Sequence, residues 1–484
     1  MNRKYQVIRS HALSMFVMPL VLSACAVGPD YKAPVIPALA AGPFLSQDDA
    51  TTPDRTPVSA DWWKLYRDPV LDGLVQDALA ANTDVRTAVA RLARVRAQLR
   101  ETSADQRPTS NLGASANRQR QSAIQSSPEL GREHTVVDLG FSVAYEVDLF
   151  GRVRRNVEAS RGDYQAAQAE LDAVRVSTVA ATTQAYLGAA SAAHRLAVAQ
   201  QIVELLDRSV SVTASREQAG LTTPLDTARI AALRDQKRAE IPQIVATRQA
   251  ELFRLALLTG RVPKDLPREA GALSAPPRIL QPIPVGDGMS LLARRPDVRA
   301  AERRLAAETA RIGVATSALY PQVSLGASVG STGFGVGDFF GAGPLRWLAG
   351  PLVSWSFPNQ AVIRSRIDAA NAQAQAALAA FDGTVLQALS ETETALSNYA
   401  RSLDRQVALA AARDQAQNVA RIVRAQAREG RADSLALLDA ERTYADAQAE
   451  LAQSEARVVN AQVDLFKALG GGWQSGATDR VVSR

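Results

Sequence analysis

The chain has almost none of the residues that bind transition metals or form disulfides. Its 484 residues include one cysteine and three histidines, His11, His134 and His194. One cysteine cannot form an intrachain disulfide, and a structural zinc site takes four ligands drawn mainly from these two residue types. The composition therefore excludes a disulfide framework, and it argues against a zinc site within one chain.

The chain is also poor in aromatic residues and in net charge. Aromatic residues make up 5% of it, and the formal net charge is +6. A nucleic-acid-binding protein usually concentrates cations in one patch, which so small an excess does not support. The glycine-rich run from Gly330 to Gly337 is not followed by Lys-Ser or Lys-Thr, so we interpret it as a loop and not as a phosphate-binding motif. We predict that the chain is not an enzyme and holds no metal.

The amino terminus has the pattern of an export signal. Three cations precede an apolar stretch over residues 13–24, which is too short to span a bilayer as a mature helix. This pattern predicts a secretory signal peptide over residues 1–24. A small residue before Cys25 resembles a bacterial lipoprotein signal, which implies that Cys25 is acylated, for example with palmitate. Acyl chains anchor by burying methylene groups, and Ala26 favours the outer membrane by the same resemblance. The alternative is an ordinary signal peptide with an incidental cysteine.

The mature chain divides into a strap and two similar halves. Residues 25–68 contain six prolines, each of which lacks a backbone donor, so we predict an extended strap. The segment 82–88 then matches 295–301 at a shift of 213 residues, and two glycine pairs, Gly220/Gly430 and Gly260/Gly470, keep a shift of 210. Such self-similarity indicates a tandem repeat. We place the first copy at residues 69–260, a proline-rich linker at 261–288, the second copy at 289–470 and a tail at 471–484.

Each copy is predicted to contain a helix, a β-hairpin, a long helix, a turn and a returning helix. The long helices, 152–218 and 360–429, contain no proline and are rich in good helix formers. At 1.5 Å per residue, each would span roughly 100 Å, too long for a compact globular core. In the first of them a narrow apolar stripe, typical of coiled-coil packing, comprises Val153, Val157, Tyr164, Leu171 and Val174.

The predicted strands alternate between apolar and polar residues. All odd positions from 137 to 149 are apolar, and the even positions between them are polar or small. The second copy repeats this alternation over residues 323–329 and 353–357, and residues 109–120 form a weaker partner. Alternation over about ten residues fits a transmembrane β-strand. A soluble sandwich alternates equally well, but the lipoprotein leader and the lack of any other membrane-spanning segment favour a barrel.

The number of strands predicts an oligomer. Two hairpins supply four strands per chain, whereas a closed outer-membrane barrel needs at least about eight. Unpaired strand edges are not tolerated in hydrocarbon. We therefore predict a mainly α-helical fold with a membrane β part. In it, a long-helix α-barrel is continuous with a β-barrel that three chains share, with twelve strands in the trimer.

Several motifs in a consistent order resemble the outer-membrane efflux factors. The resemblance is to their NodT-like lipoprotein branch and to the TolC-like exit ducts. The motifs are Cys25-Ala-Val-Gly-Pro-Asp-Tyr-Lys-Ala-Pro34, Trp62-Trp63-x-x-Tyr66-x-Asp68-Pro69, Arg294-Arg295-Pro296-Asp297-Val298-Arg299, Tyr320-Pro321 and Gly430-x4-Leu435-x-x-Leu438-Asp439.

The resemblance implies a homotrimeric, porin-like outer-membrane channel that catalyses nothing. It implies no cofactor apart from the lipid on Cys25. It further implies docking with a periplasmic adaptor, or membrane fusion protein, and with an inner-membrane pump, commonly of the resistance-nodulation-division (RND) type. Such a duct passively conducts small toxic compounds and supports multidrug resistance. The alternatives are a type I-like protein secretion duct and a structural periplasmic coiled-coil lipoprotein, against which the alternating strands argue.

A wide tube needs a gate, which we place at the turns around Gly220 and Gly430. In the family, a tip aspartate of the second repeat forms a ring at the constriction, and it matches Asp439, with Leu435 as the apolar part of the closure. At the shift of 210, Arg229 stands at the position of the first copy that is equivalent to Asp439. We expect these two side chains to pair within or between hairpins. Asp226 matches another acidic gate position of relatives. The alternative for each charge is a solvated helix face, where a pair contributes about 0–1 kcal/mol.

Other residues have expected roles in packing. Ala427 and Ala432 stand where the family often has a tyrosine or a cation. Four charges recur at the first helix of the two copies: Asp84, Arg86, Asp297 and Arg299. They could contact the adaptor, but we expect them to form structural charge pairs at the start of the helix. We expect Trp62 and Trp63 to pack the strap on the body. We expect Trp347 and Trp355 to face the barrel exterior near the membrane interface.

Overall fold

The structure is a computed structural model of the chain. It describes residues 26–35, 40, 42–46, 51–52, 61–124, 131–279, 281–334, 337, 345–357 and 360–471. The predicted signal peptide, Cys25 and the tail beyond residue 471 lie outside the described residues. Export and acylation therefore stay predictions.

The described helices and strands follow one order twice. The helices are α1 (Pro69–Ala81), α2 (Thr83–Ala104), α3 (Arg152–Gln218), α4 (Pro224–Leu258), α5 (Gly288–Arg294), α6 (Pro296–Ser317), α7 (Gln360–Arg428) and α8 (Ser434–Ala468). The strands are β1 (Thr51–Thr52), β2 (Thr109–Arg120), β3 (Glu133–Val147), β4 (Ile283–Pro284), β5 (Gln322–Gly333) and β6 (Leu345–Ser354). Two helices, and not the one predicted, precede each hairpin.

The extra helix break has a local cause in each copy. In the first copy, the Asn82 side chain accepts hydrogen bonds from the backbone N–H of Asp84 at 2.9 Å and of Val85 at 3.2 Å, so it caps a new helix. In the second copy, Arg295 has an extended backbone (ψ 121°). It precedes Pro296, whose ring disfavours the helical conformation of the residue before it.

The two long helices end where the sequence predicted, within one residue. Helix α3 has 67 residues and α7 has 69. Of the predicted apolar stripe on α3, Val153, Val157 and Leu171 are buried, while Tyr164 and Val174 are partly exposed. None of the described helices is both long and apolar enough to cross a membrane.

The four long strands form one antiparallel sheet in the order β2-β3-β5-β6. Leu112 lies opposite Phe141, Phe141 opposite Val329, and Val329 opposite Trp347. Directly opposite residues share a face, so an apolar row crosses all four strands. The other face is mostly polar or small, with Leu348 and Leu352 of β6 among the exceptions, and on it Arg346 pairs with Asp138 at 2.6 Å. The predicted period of two is therefore present in the structure. Trp347 lies on the apolar face, and its place on a barrel exterior stays a prediction.

Two strand predictions were wrong in detail. The last strand was predicted over 353–357 but occupies Leu345–Ser354. Trp355 and Phe357 follow it, and the Trp355 indole N–H donates to the carbonyl of Leu319 at 3.2 Å. Gly330, predicted in a loop, pairs with Gly140 inside β5. A Cβ at Gly330 would lie 2.6 Å from the carbonyl oxygen of Leu139, so the neighbouring backbone leaves no room there for a larger residue. Gly335 lies outside the described residues.

The chain separates into two compact units. The first contains the four-stranded sheet and comprises residues 1–34, 92–167 and 300–382. In it, a Cβ at Gly28, whose φ is +92°, would lie 2.5 Å from the Cα of Gly313. The backbone N–H of Val27 donates to the carbonyl of Phe150 at 3.2 Å, and Tyr31 donates to Glu302 at 2.7 Å. The start of the strap is thus fixed near the end of β3.

The second unit comprises residues 35–91, 168–299 and 383–484 and holds the main apolar core. Trp62 is fully buried and stacks on Phe466, with ring centroids 4.7 Å apart. Trp63 is buried beside it, and Tyr66 donates to Gln462 at 2.9 Å. The tryptophans therefore pack in the core, as predicted.

Candidate functional site at the hairpin turns

The turns that reverse the two long helices have the same backbone. Gly220 (φ +72°) and Gly430 (φ +73°) adopt the left-handed conformation that favours glycine. In the first turn, the N–H of Leu221 donates to Arg216 at 2.8 Å; in the second, the N–H of Arg431 donates to Gln426 at 2.8 Å. These bonds satisfy orphan carbonyls of the long helices, as in a Schellman motif. A Cβ at either glycine would meet no atom within 4 Å, so the backbone angle, and not crowding, requires glycine.

The two returning helices begin with different caps. Helix α4 has a capping box, in which the N–H of Asp226 donates to the Thr223 hydroxyl at 3.3 Å and the N–H of Thr223 donates to the Asp226 carboxylate at 3.2 Å. The hydroxyl bond from Thr223 lowers the pKa of Asp226 below its usual range. Helix α8 relies on Asp433, which accepts from the N–H of Ala436 at 2.6 Å. Asp226 thus has a local role in starting α4, whereas its gate role stays a prediction.

Three of the four predicted gate residues are exposed in one chain, and Asp226 is half-buried. Leu435, in the first turn of α8, is 59% exposed, and Asp439 and Arg229 are also exposed. Among the described residues of one chain, neither of these two charges forms an ion pair, so the structure does not bring Arg229 and Asp439 together within one chain. Pairing between chains stays a prediction.

Side chains that the sequence did not single out join the two hairpins. The hydroxyls of Thr222 and Ser434 are 3.0 Å apart, and the Arg216 guanidinium donates to the carbonyl of Ala427. Further from the turns, Lys237 is 9% exposed and pairs with Asp446 at 2.8 Å. Burial lowers the pKa of Lys237, but its bonds to the two neighbouring carboxylates more than offset this, and the net shift is upward.

Comparison with known proteins identifies this arrangement. The family model described as outer membrane efflux protein matches residues 74–261 and 289–471. The outer membrane protein OprJ of Pseudomonas aeruginosa is 32% identical over 468 residues, which cover 96% of this chain and 96% of OprJ. The chain belongs to the outer membrane efflux protein family.

Solved structures agree with that assignment. The outer-membrane channel OprN matches with a TM-score of 0.86 at 36% identity, over 93% of this chain and 100% of that chain. The open state of the Neisseria gonorrhoeae MtrE channel matches with a TM-score of 0.81 at 26% identity, over 93% of this chain and 99% of that chain. The protein is the outer-membrane channel of an efflux system, and its fold is TolC-like. A purely structural tether would have no use for the four-stranded sheet.

The efflux channel has one buried ion pair close to the second turn. The Arg424 guanidinium, on α7, donates two bonds to the Glu441 carboxylate, on α8, at 2.6 and 2.7 Å. Glu441 is fully buried, and it also accepts from the Ser209 hydroxyl on α3 at 3.1 Å. Bonding to Glu441 raises the pKa of Arg424 above its usual value. The corresponding positions of the first copy, at the shift of 210, are Ala214 and Ala231.

The sequence held a signal for this pair that the prediction missed. A duplicated hairpin with two charges in one copy and two alanines in the other has lost or gained both charges of a pair. Spacing alone could not show it, because Arg424 and Glu441 lie on different helices, 17 positions apart.

A second charged cluster lies far from the turns along the chain, at the Arg-Pro-Asp motif of the second copy. Arg295 is buried, and it donates to Asp297 at 2.6 Å and to Glu391 at 2.7 Å. Burial alone would raise the pKa of both carboxyl groups. The bonds from Arg295 to Asp297, and those from Gln387 and Arg295 to Glu391, prevail and lower both pKa values below their usual ranges. The cluster borders a cavity of about 620 Å³. This arrangement supports structural pairing as the role of Asp297. Among the described residues, no group of acidic, histidine or cysteine side chains is placed to hold a metal ion.

Proposed function

We propose that three copies of this efflux channel assemble into one exit duct with a shared twelve-stranded barrel. The observation that carries the proposal is the open sheet. Within the described part of the chain, its outer strands, β2 and β6, each pair on one side only, and they are exposed along their whole length. One face carries the apolar row through Phe141 and Val329, as a lipid-facing surface requires. Unpaired strand edges are too costly in hydrocarbon, and closure with other copies satisfies them.

Bilayer conductance and mass in detergent test this assembly. The purified full-length protein is expected to have the detergent-corrected mass of three chains and to form discrete ion channels in planar bilayers. A monomer without channel activity would contradict the proposal. The mass and the conductance are needed together, because a trimer without conductance would support only the tether.

The duct is proposed to be anchored by acyl chains on Cys25. Residues directly after Cys25 pack against the first unit. The backbone N–H of Val27 donates to the carbonyl of Phe150, and a Cβ at Gly151 would lie 2.8 Å from Ala26. Ala26 and Val27, the first described residues after the proposed acylation site, therefore lie close to the end of β3. Mass spectrometry of the mature amino terminus is expected to show loss of residues 1–24 and added acyl mass. An unmodified Cys25, or cleavage elsewhere, would contradict this.

The duct is further proposed to dock with a periplasmic adaptor and an inner-membrane pump of the RND type, and to close at its hairpin turns. Three copies of Leu435 and Asp439 would form the closure, because both are exposed on the first turns of α8. Arg229 and Asp226 would contribute charges from the neighbouring hairpin. Three close carboxylates repel one another, so neighbouring cations are expected to offset them.

Substitution of the ring residue tests the gate. Asp439→Ala is expected to raise the single-channel conductance above that of the wild type. Asp382→Ala changes an exposed carboxylate on α7, in the other compact unit, and serves as the matched control. Equal conductance in all three proteins would move the gate away from Asp439 while leaving the duct itself intact.

A further inference from the structure

The Arg424–Glu441–Ser209 cluster, which we call the clasp, joins three helices from both hairpins. Arg424 belongs to α7, Glu441 to α8 and Ser209 to α3. The side chain of Glu441 is 1% exposed and that of Arg424 is 23% exposed. A buried carboxylate is costly unless it is paired and hydrogen-bonded, and here one oxygen accepts from both Arg424 and Ser209 while the other accepts from Arg424. The cluster therefore strongly favours one arrangement of these helices.

The position of Glu441 links the clasp to the proposed gate. Glu441 lies two residues after Asp439 and six after Leu435 on the same helix, which is about 3 Å and 9 Å along its axis. An α-helix transmits rotation and translation over such a distance with little deformation, since its backbone bonds are continuous. Whatever holds Glu441 thus sets the direction in which Asp439 and Leu435 project.

The clasp belongs to only one of the two hairpins. Alanines stand at the corresponding positions 214 and 231 of the first copy, and the pair between Asp207 and Arg238 there has exposed side chains. Exposed pairs contribute little. Within the second hairpin, which carries Leu435 and Asp439, the two helices are therefore joined by an ion pair with a buried carboxylate.

We propose that the clasp is a positioning device that holds the second hairpin in the closed arrangement, and that its loss opens the duct. The inference rests on the proposed gate at the hairpin turns. It assigns a function to three residues that do not themselves lie at the constriction. Ser209 is the part of the clasp that couples the second hairpin to the first.

Conductance of the purified full-length protein in planar bilayers tests the proposal. Glu441→Gln, which keeps the shape and removes the charge, is expected to raise single-channel conductance several-fold. Exchange of the two charges, Arg424→Glu with Glu441→Arg, is expected to bring it back towards the wild-type value. Glu450→Gln, an exposed glutamate on the same helix, is the matched control. A trimeric Glu441→Gln channel with wild-type conductance would overturn the proposal.

A reversible crosslink separates positioning from general damage. Thr222→Cys with Ser434→Cys places two thiols where two hydroxyls are 3.0 Å apart. Oxidised in the Glu441→Gln background, this pair is expected to restore low conductance, and reduction is expected to raise it again. Conductance that stays high after crosslinking would show that Glu441 acts on the pore by another route.

Two further outcomes have distinct meanings. If Asp439→Ala opens the duct and Glu441→Gln does not, the clasp fails while the proposed gate stands. If neither changes a conducting wild-type channel, the gate itself lies elsewhere.

A second variant applies if Glu441→Gln does not form trimers. Ser209→Ala removes one neutral hydrogen bond from the clasp and is expected to raise the single-channel conductance by a smaller factor. Wild-type conductance of Ser209→Ala would then overturn the proposal.

Discussion

The two hairpin turns share a backbone and differ in the side chains that hold them. Both long helices end at a left-handed glycine with nearly equal φ, at Gly220 and at Gly430. The first hairpin is held by a capping box and by an exposed ion pair between Asp207 and Arg238. The second has a simpler cap and a buried ion pair. Duplication thus preserved the turn, which depends on local backbone geometry. Contacts between helices diverged. The first hairpin keeps an exposed ion pair, whereas the second has a buried ion pair that also accepts a hydrogen bond from α3 of the first hairpin.

The largest difference between the hairpins is expected when the arginine of each ion pair is removed. Arg424→Met leaves the buried Glu441 carboxylate with the neutral Ser209 hydroxyl as its only donor among the described residues and is expected to cost about 3–5 kcal/mol of unfolding free energy. Arg238→Met removes an exposed pair and is expected to cost about 0–1 kcal/mol. Thermal unfolding of the trimers in detergent measures both. Equal losses would contradict the distinction drawn here between the two hairpins.

A buried arginine remote from the turns along the chain sharpens this comparison through pH. Arg295→Met removes the partner of Asp297 and Glu391 and is expected to cost about 2 kcal/mol at neutral pH. The pKa of both carboxyl groups is lowered in the folded protein. Their contribution is therefore complete above their unfolded pKa values, about 4, and is lost as the pH falls through the folded values.

The measurement is stability against pH for the wild type and Arg295→Met. The two curves are expected to be furthest apart at neutral pH and to converge below about pH 4, where both carboxyl groups take up protons. The control is Arg238→Met, which removes only an exposed pair, so its curve is expected to stay close to that of the wild type at every pH. A constant gap for Arg295→Met would show that its packing, and not its charge, stabilises the fold.

Equal effects are expected where the two turns are alike. Gly220→Ala and Gly430→Ala each force a Cβ into the left-handed conformation, at a cost of about 1–2 kcal/mol. The added carbon would meet no atom within 4 Å at either turn, so crowding adds nothing. Thermal unfolding of the two variants is expected to give the same loss. A larger loss at one turn would reveal a difference in backbone strain between the copies.

The smallest difference is expected at the caps. Thr223→Ala removes the acceptor of the capping box on α4, and Asp433→Ala removes the acceptor on α8. Each is expected to cost about 1 kcal/mol. Thr223→Ala also frees the Asp226 carboxylate from a short hydroxyl bond of 2.7 Å. The pKa of Asp226, followed by NMR or by acid titration of stability, is expected to rise towards its usual value in Thr223→Ala and to stay low in Asp433→Ala.

Local pattern was enough to predict the elements of this fold. The proline-free stretches gave the bounds of α3 and α7, and the left-handed glycines that end them were recognised from their repeat spacing. Alternation located β3 and β5, because a strand exposes its two faces at successive residues, and β2 occupies the weaker partner strand predicted at residues 109–120. The same local reasoning misplaced β6, since Leu348 and Leu352 stand on the polar side of its register and break the alternation.

Charge pairs between helices depended on how the chain folds in three dimensions. Arg424, Glu441 and Ser209 meet only because three helices pack side by side, and no spacing along the chain encodes that meeting. For the same reason, the expected pairing of Arg229 with Asp439 is not found within one chain: a shift of 210 makes two positions equivalent without making them neighbours. Helices, strands and turns could be predicted from the chain alone, because they arise from interactions over a few residues. Which charges are buried together became visible only in the folded structure, because burial depends on which distant helices pack.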